Sequence, residues 1–190
     1  GKSTFIKKVL ENLIIPNISD EFEKKRALDE TPQSSGGKTI MTIEPKFVPN
    51  NVAKVKIDDL ECNMRLVDCV GYVIDSAKGY EDENGPRMVK TPWYTDEIPF
   101  IEAAEIGTEK VIKDHSTIGI IVTTDGSIGE FNRNDYVKAE EKVVQELKSI
   151  NKPFIIVLNS TTPNSNEARS LANSLRESYN VPVLPMDVLN

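Results

Sequence analysis

The chain contains 190 residues, of which 38% are hydrophobic and 28% are charged, and this composition suits one α/β domain with a buried core. Its net charge of -7 argues against binding along a nucleic acid, because that requires clustered lysine and arginine. Backbone N–H groups can still hold the phosphates of a single nucleotide on an acidic protein. The single histidine, His115, argues against a histidine-ligated metal and against a catalytic triad.

The first predicted element is a helix that begins directly after the opening residues "GKST". Apolar side chains between Phe5 and Ile14 recur at helical spacing, and we predict that Pro16 ends the helix. Residues 17–52 are polar and are interrupted by proline and glycine, so we predict that they are mostly loop.

A β-hairpin is predicted next. Residues 53–57 and 62–68 have the composition of strands, and the short connection "DDLE" between them requires antiparallel pairing.

Residues 71–98 form a predicted loop that is long for a compact domain, and loops of this length usually carry a function. Its aromatic residues Tyr80, Trp93 and Tyr94 make it a candidate surface for self-assembly. The sequence leaves an alternative equally open, in which the loop packs against its own domain.

The remaining residues alternate between helices and buried strands. We predict helices at 99–115, 134–150 and 165–179, and strands at 116–124, 152–159 and 181–186. This alternation is typical of a mostly parallel sheet with right-handed crossovers, so the expected fold class is α/β.

The opening residues Gly1, Lys2, Ser3 and Thr4 fit the end of the phosphate-loop motif G-x-x-x-x-G-K-[ST]. In that motif backbone N–H groups surround the phosphates, the lysine reaches the β and γ oxygens, and the hydroxyl binds Mg²⁺. The expected strand before the loop is not in this sequence, and the simplest account is that it lies upstream. An alternative stays open, in which Ser3 is only a helix N-cap.

A second copy of the tripeptide occurs at residues 37–39, and it is a poorer candidate. Pro32 stands where the motif requires glycine, and Pro45 and Pro49 prevent a long helix after it. The copy at the start of the chain is therefore the predicted phosphate loop.

The second part of the predicted site is "DCVG", which follows an apolar strand and fits the D-x-x-G motif of phosphate-loop switch proteins. Asp68 is expected to hold Mg²⁺ through water, and the N–H of Gly71 is expected to face the γ-phosphate. Tyr72 follows, where a glutamine would orient the attacking water, so we expect slow hydrolysis unless a partner or self-assembly completes the site.

A threonine between these two motifs should contact Mg²⁺ and the γ-phosphate, as in the switch I segment of such proteins. Thr39 and Thr42 are the candidates, and we favour Thr42 because it lies nearer the hairpin.

The predicted base-binding segment follows the strand that ends at Asn159. Guanine-specific proteins of this class carry N-K-x-D there, and the aspartate accepts hydrogen bonds from guanine. Here Asn159 is present as a nucleotide-binding candidate, but Ser160 and Thr162 replace the lysine and the aspartate. Loss of a hydrogen-bond partner can change discrimination by orders of magnitude, so we expect ATP rather than GTP.

Longer stretches of the chain resemble the stage IV sporulation protein A family. The resemblance is carried by "GKSTFIKK", "TPQSSGGKTIMTIEPKFVP", "RLVDCVGY", "SAKGYEDENGPRM", "TPWY", "AAEIGT", "HSTIG", "TTDG" and "KPFIIVLNS". These stretches are spread over nearly the whole chain and are far more specific than a phosphate-loop fragment alone.

The resemblance implies a phosphate-loop ATPase with the translation-factor-like, Ras-like GTPase fold, in which a mostly parallel sheet includes one antiparallel hairpin strand. It implies that hydrolysis of ATP drives irreversible self-assembly into the basement layer of the bacterial spore coat. That layer lies on the outer forespore membrane, in the mother-cell cytosol. Implied partners are further copies of the chain, other coat morphogenetic proteins and a small amphipathic membrane-anchoring peptide.

The resemblance also implies residue roles and a domain boundary. Lys2 corresponds to the phosphate-loop lysine, Asp68 to the metal-linked aspartate and Thr42 to the sensor threonine. The family has a second threonine beside the sensor, where this chain has Ile43, and this puts a paired hydroxyl in doubt. Residues 1–190 correspond to the N-terminal ATPase domain, and the family's middle and C-terminal domains are not in this sequence.

Two other functions remain open. One is a regulatory GTPase of the Ras or Era type, which Ser160 and Thr162 disfavour. The other is a scaffold that binds nucleotide without turnover, which is consistent with the missing glutamine after Gly71.

Overall fold

A computed structural model of the protein describes residues 1–31, 45–74, 81–82 and 85–190. The described residues divide into two compact units: the first contains the described residues up to Asp68 together with Leu189, and the second contains the described residues of 69–188 together with Asn190. The first unit contains the opening helix and the hairpin, and the second contains the parallel sheet.

The opening helix of the first unit is present as predicted. Helix α1 spans Lys2–Val9 and continues as a π-helix at Leu10–Ile14 and a 3-10 turn at Ile15–Asn17. Pro16 lies inside that final turn, so the regular helix already ends before the proline.

A second helix in this unit corrects the sequence analysis, which predicted mostly loop for residues 17–52. Helix α2 spans Glu21–Asp29, and Asp20 caps it by accepting a hydrogen bond from the Glu23 N–H at 2.8 Å. Among its residues only Ala27 is buried. The helix therefore lacks the stripe of apolar residues from which a surface helix is usually predicted.

The predicted hairpin is confirmed. Strand β1 spans Lys46–Ile57 and pairs antiparallel with strand β2, which spans Leu60–Asp68. Strand β1 is longer than predicted and contains Pro49. Its register shifts between Val48 and Ala53, and an irregularity of this kind accommodates a proline within a strand. Apolar side chains of α1, its helical extensions, α2 and the hairpin share one core, which contains Ile6, Leu10, Ile14, Ile15, Ile18, Ala27, Val48, Ala53 and Val55.

The second unit begins with the predicted long loop, part of which forms short ladders. Strands β3 and β4 pair antiparallel, as do strands β5 and β6; their bounds are Glu81–Asp82, Gly85–Pro86, Met88–Val89 and Ile98–Pro99. The N–H of Phe100 donates to the Arg87 carbonyl at 2.8 Å, and the Arg87 guanidinium stacks over the Phe100 ring.

The alternating helices and strands of the second unit are confirmed. Their bounds are α3 Phe100–Lys110 with a π-helical extension Val111–His115, β7 Gly119–Thr124, α4 Arg133–Ser149, β8 Phe154–Asn159, α5 Asn166–Tyr179 and β9 Val183–Met186. The strands form a parallel sheet in the order β7-β8-β9, so their carboxyl ends lie along one edge. The core against this sheet includes Ile121, Val144, Leu147, Ile156, Leu158, Leu175 and Val183.

The described ranges therefore have the α/β class that the sequence predicts, with a parallel sheet and a separate antiparallel hairpin. None of the helices in these ranges combines the length and the apolar composition that a bilayer crossing needs.

Candidate functional site

A hydrogen bond joins the start of the chain to the end of the hairpin. The Ser3 hydroxyl donates to Asp68 Oδ2 at 2.6 Å, although 65 positions separate the two residues in sequence. Helix α1 presents Ser3 in its first turn, and the hairpin register sets Asp68 at the last position of β2. Both side chains are half-buried. The fold thus brings two candidate ligands from two sequence motifs to hydrogen-bonding distance.

The first turn of α1 has a backbone arrangement suited to an anion. Gly1 is the N-cap residue, and the N–H of Phe5 donates to its carbonyl at 2.9 Å. The N–H groups of Lys2, Ser3 and Thr4 precede this bond, and such groups at a helix N-terminus bind phosphate readily. Lys2 is the first residue of α1 and directly precedes Ser3, whose hydroxyl bonds to Asp68.

The alternative in which Ser3 is only a helix N-cap is wrong. The cap position belongs to Gly1, and no side chain caps α1. The Ser3 hydroxyl donates to Asp68 instead.

The oxygen atoms of Ser3 and Asp68 are suitable ligands for a hard divalent cation. A hydroxyl and a carboxylate are the donors that Mg²⁺ takes from proteins, and the rest of its shell consists of water and substrate phosphates. Among the described residues no group of three or more His, Cys, Asp or Glu side chains forms a metal cage. A donor set of one hydroxyl and one carboxylate fits a hard cation that takes its other ligands from water or substrate oxygens.

Gly71 has a positive φ of 80°, and its N–H is already engaged within the second unit. It donates to the Thr108 hydroxyl oxygen at 3.1 Å, and that hydroxyl donates in turn to the Ala104 carbonyl at 2.8 Å. Sequence reasoning missed Thr108, because a threonine inside a helix belongs to no motif. A contact between the Gly71 N–H and a phosphate remains a prediction, and it requires the bond to Thr108 to open.

The predicted sensor Thr42 and its alternative Thr39 lie outside the described residues, as does the second glycine-lysine-threonine copy at 37–39. Their roles stay predictions.

The strand that ends at Asn159 uses its polar groups internally. The Asn159 side chain is buried, and its Oδ1 accepts from the Val188 N–H at 3.1 Å. Ser160, which replaces the lysine of the guanine motif, is fully buried, and its hydroxyl oxygen accepts from the Thr162 N–H at 3.0 Å. A lysine at this position would have to fit its stem into fully buried surroundings. A nucleotide contact by Asn159 stays a prediction, with its amide oxygen already committed to the fold.

Asp125, which directly follows β7, forms a local hydrogen-bonded turn that the sequence analysis did not identify. Its Oδ1 accepts from the N–H of Ser127 at 2.9 Å and from the Ser127 hydroxyl at 2.6 Å. Burial acts to raise the pKa of this carboxyl, but hydrogen bonds from Ser127 and Ser160 outweigh it and lower the pKa. The sequence feature that could have indicated this turn is an aspartate followed by glycine at the end of a strand, in "TTDG".

The described part of the long loop contains one aromatic residue that packs against its own unit and one that is exposed. Lys110 of α3 lies 5.6 Å from the centre of the Trp93 ring, and Trp93 is half-buried. Tyr94 remains exposed, and Tyr80 lies outside the described residues. Self-assembly through this loop stays a prediction.

Comparisons with known proteins agree with the sequence motifs. Residues 1–190 match the family model described as "Stage IV sporulation protein A, ATPase domain". The chain is 60% identical over 189 residues to stage IV sporulation protein A of Bacillus subtilis (strain 168) and 59% identical over 189 residues to that of Bacillus anthracis. Each alignment covers 99% of this chain and 38% of the relative.

A relative from Clostridioides difficile (strain 630), also named stage IV sporulation protein A, is 55% identical over 190 residues, which is 100% of this chain and 39% of the relative. The chain thus spans well under half the length of the curated relatives it matches. No solved structure matches it.

Proposed function

The chain belongs to the family of the stage IV sporulation protein A ATPase domain, and from this premise we propose that it binds ATP with Mg²⁺ and hydrolyses the ATP to ADP and phosphate. The proposed fold is that of a phosphate-loop, Ras-like NTPase, and the parallel sheet and antiparallel hairpin are compatible with it.

The observation that carries the proposal is the hydrogen bond between Ser3 and Asp68. In phosphate-loop NTPases the loop hydroxyl and a strand-end aspartate act on the same Mg²⁺. A direct bond between residues 65 positions apart supports this pairing, because a helix cap or a solvated aspartate would not require it.

Each site residue has a proposed role. Lys2 reaches the β and γ oxygens of ATP, and the first-turn N–H groups of α1 hold the phosphates. Ser3 and Asp68 hold the cation, Asp68 through water, and Thr42 senses the γ-phosphate. Bound Mg²⁺ supplies neutralisation of the charge on the phosphate oxygens. Tyr72 cannot orient water as glutamine does, so turnover is slow without assembly.

The nucleotide is proposed to be ATP rather than GTP. The buried hydroxyl of Ser160 and the exposed Thr162 give guanine no carboxylate acceptor. The competing function is a regulatory GTPase, and displacement of a fluorescent ATP analogue by unlabelled ATP or GTP separates the two. Displacement by GTP at lower concentration than by ATP would favour the GTPase.

The activity is tested by measuring the phosphate that the full-length protein releases from ATP in the presence of Mg²⁺. Lys2→Ala should lower turnover about 100-fold, because it removes a cation from the transferred phosphate. Lys8→Ala on the same helix is the matched control and should keep the wild-type rate. Equal turnover in the wild type and Lys2→Ala would exclude this site as the ATPase centre.

The biological role is proposed from the family. Hydrolysis drives self-assembly into the spore-coat basement layer on the outer forespore membrane, with other coat proteins and a membrane-anchoring peptide as partners. Sedimentation with ATP and with a non-hydrolysable analogue tests this. More pelleting with ATP supports the proposal, whereas equal pelleting favours a scaffold that binds nucleotide without using its hydrolysis.

A further inference from the structure

The Gly71 N–H, which the D-x-x-G motif predicts to face the γ-phosphate, donates to a protein acceptor, the Thr108 hydroxyl oxygen. Thr108 is 2% exposed, and its hydroxyl hydrogen is directed to the Ala104 carbonyl. Its oxygen is therefore oriented to accept, and it accepts from the Gly71 N–H at 3.1 Å. The positive φ of Gly71 directs this N–H in a way that other residues rarely adopt.

One N–H cannot make a good hydrogen bond to two acceptors in different directions. If the Gly71 N–H is to contact a γ-phosphate, as its position three residues after Asp68 predicts, it must leave Thr108. The nucleotide then gains one hydrogen bond, and the protein loses another that is partly buried.

We propose that Thr108 is a latch that holds the Gly71 N–H in the nucleotide-free protein and thereby sets the discrimination between nucleoside triphosphate and diphosphate. This inference rests on the proposed function. The latch opposes only a ligand that carries a γ-phosphate, because a diphosphate has no oxygen to offer this N–H. Thr108 is a positioning residue, since it acts through Gly71 and does not touch the nucleotide.

Removing the latch should therefore tighten triphosphate binding alone. Thr108→Val keeps the size and branching of the side chain but removes the acceptor. A neutral hydrogen bond contributes about 1 kcal/mol, which corresponds to a change in affinity of roughly fivefold. Thr108→Ser keeps the hydroxyl and is the matched control.

The experiment measures the dissociation constants of ADP and of a non-hydrolysable ATP analogue, both with Mg²⁺, for full-length wild type, Thr108→Val and Thr108→Ser. The ratio of the ADP constant to the analogue constant should rise roughly fivefold in Thr108→Val and stay unchanged in Thr108→Ser. An unchanged ratio in Thr108→Val, or an equal loss of affinity for both nucleotides, would overturn the latch.

A second measurement keeps the test decisive if Thr108→Val does not fold. Amide hydrogen exchange of wild type and Thr108→Ser should show Gly71 protected without nucleotide, and the analogue but not ADP should alter that protection. Identical exchange at Gly71 with both nucleotides would refute the latch. Failure of the proposed function is distinguishable, because wild type would then bind neither nucleotide and Lys2→Ala would have no effect.

Discussion

The corner formed by Ser3 and Asp68 and the strand end around Asn159 use polar groups in opposite ways. Ser3 and Asp68 are half-buried, bond to each other, and lie beside first-turn N–H groups that precede the first helical hydrogen bond. Asn159 and Ser160 are buried, and their side-chain oxygens accept hydrogen bonds from backbone N–H groups of the same unit.

The second unit contains a further example of internal use. Glu140 is 2% exposed at its side chain, and its Oε1 accepts from Arg133 at 2.8 Å and from the Tyr179 hydroxyl at 3.0 Å. Burial, followed by the charge of Glu140, raises the pKa of Tyr179, so its hydroxyl remains a donor.

This difference predicts which substitutions should lower stability and which should lower activity. Polar groups satisfied by the fold hold the structure, and their loss should lower stability. The Ser3–Asp68 pair remains accessible at its unit's surface, and its loss should lower activity with little effect on stability. The following predictions test this separation, from the largest expected effect to the smallest.

Asp68→Asn should lower Mg²⁺-dependent turnover roughly 100-fold or more, because it removes the charge that steers the cation. The free energy of unfolding should change by less than about 1 kcal/mol, because one half-exposed hydrogen bond is weakened. Phosphate release and urea denaturation measure the two effects. Asp59→Asn, in the hairpin turn at the opposite end of β2, is the control. Turnover near wild type in Asp68→Asn would contradict the assignment of Asp68 to the functional site.

Arg133→Met should lower the free energy of unfolding by about 3 kcal/mol, because it leaves the buried Glu140 carboxylate without its cation. Lys113→Met is a matched control: its ion pair with Glu109 is exposed, so its loss should cost less than about 0.5 kcal/mol. Denaturant titration of both variants decides the point. Equal costs would show that burial does not separate the two pairs.

Asn159→Ala should lower the free energy of unfolding by about 1–3 kcal/mol, because the buried Val188 N–H loses its acceptor. Asn164→Ala removes an exposed side-chain acceptor and should change stability by less than about 0.5 kcal/mol. If Asn159→Ala kept full stability but lost nucleotide affinity, Asn159 would belong with the accessible groups instead.

Thr162→Asp should raise the affinity for GTP relative to ATP by less than about threefold. It restores the carboxylate of the guanine motif at an exposed position, but Ser160 still stands where that motif has lysine. Competition binding measures the ratio, and Thr161→Asp, at the adjacent exposed position, is the control. A switch to GTP of two orders of magnitude would show that this loop alone determines the base.

The sequence predicted what strong patterns encode. The hairpin and the alternating elements of the second unit follow from runs such as "STIGIIVTT" and from short connections. Helix α2 was missed, because only Ala27 is buried along it and the capping by Asp20 is a local signal without a supporting apolar stripe.

The candidate site was predictable only where a residue belongs to a linear motif. Ser3 and Asp68 were identified that way, and their bond is consistent with the roles predicted for them. Thr108 was not, because its relation to Gly71 spans 37 positions and depends on how helix α3 packs. The commitment of the Asn159 oxygen to Val188 likewise depends on a turn that no motif describes.

The central claim is that the Ser3 oxygen binds the catalytic cation. Substitution of Ser3 by cysteine tests it most directly, because a thiolate prefers a softer cation than Mg²⁺. Phosphate release by Ser3→Cys should fall roughly 100-fold with Mg²⁺ and recover at least about tenfold with Cd²⁺, while Thr4→Cys shows no such preference. Ser3→Cys turnover that is equal in the two cations, after correction for the wild type in each, would contradict the account.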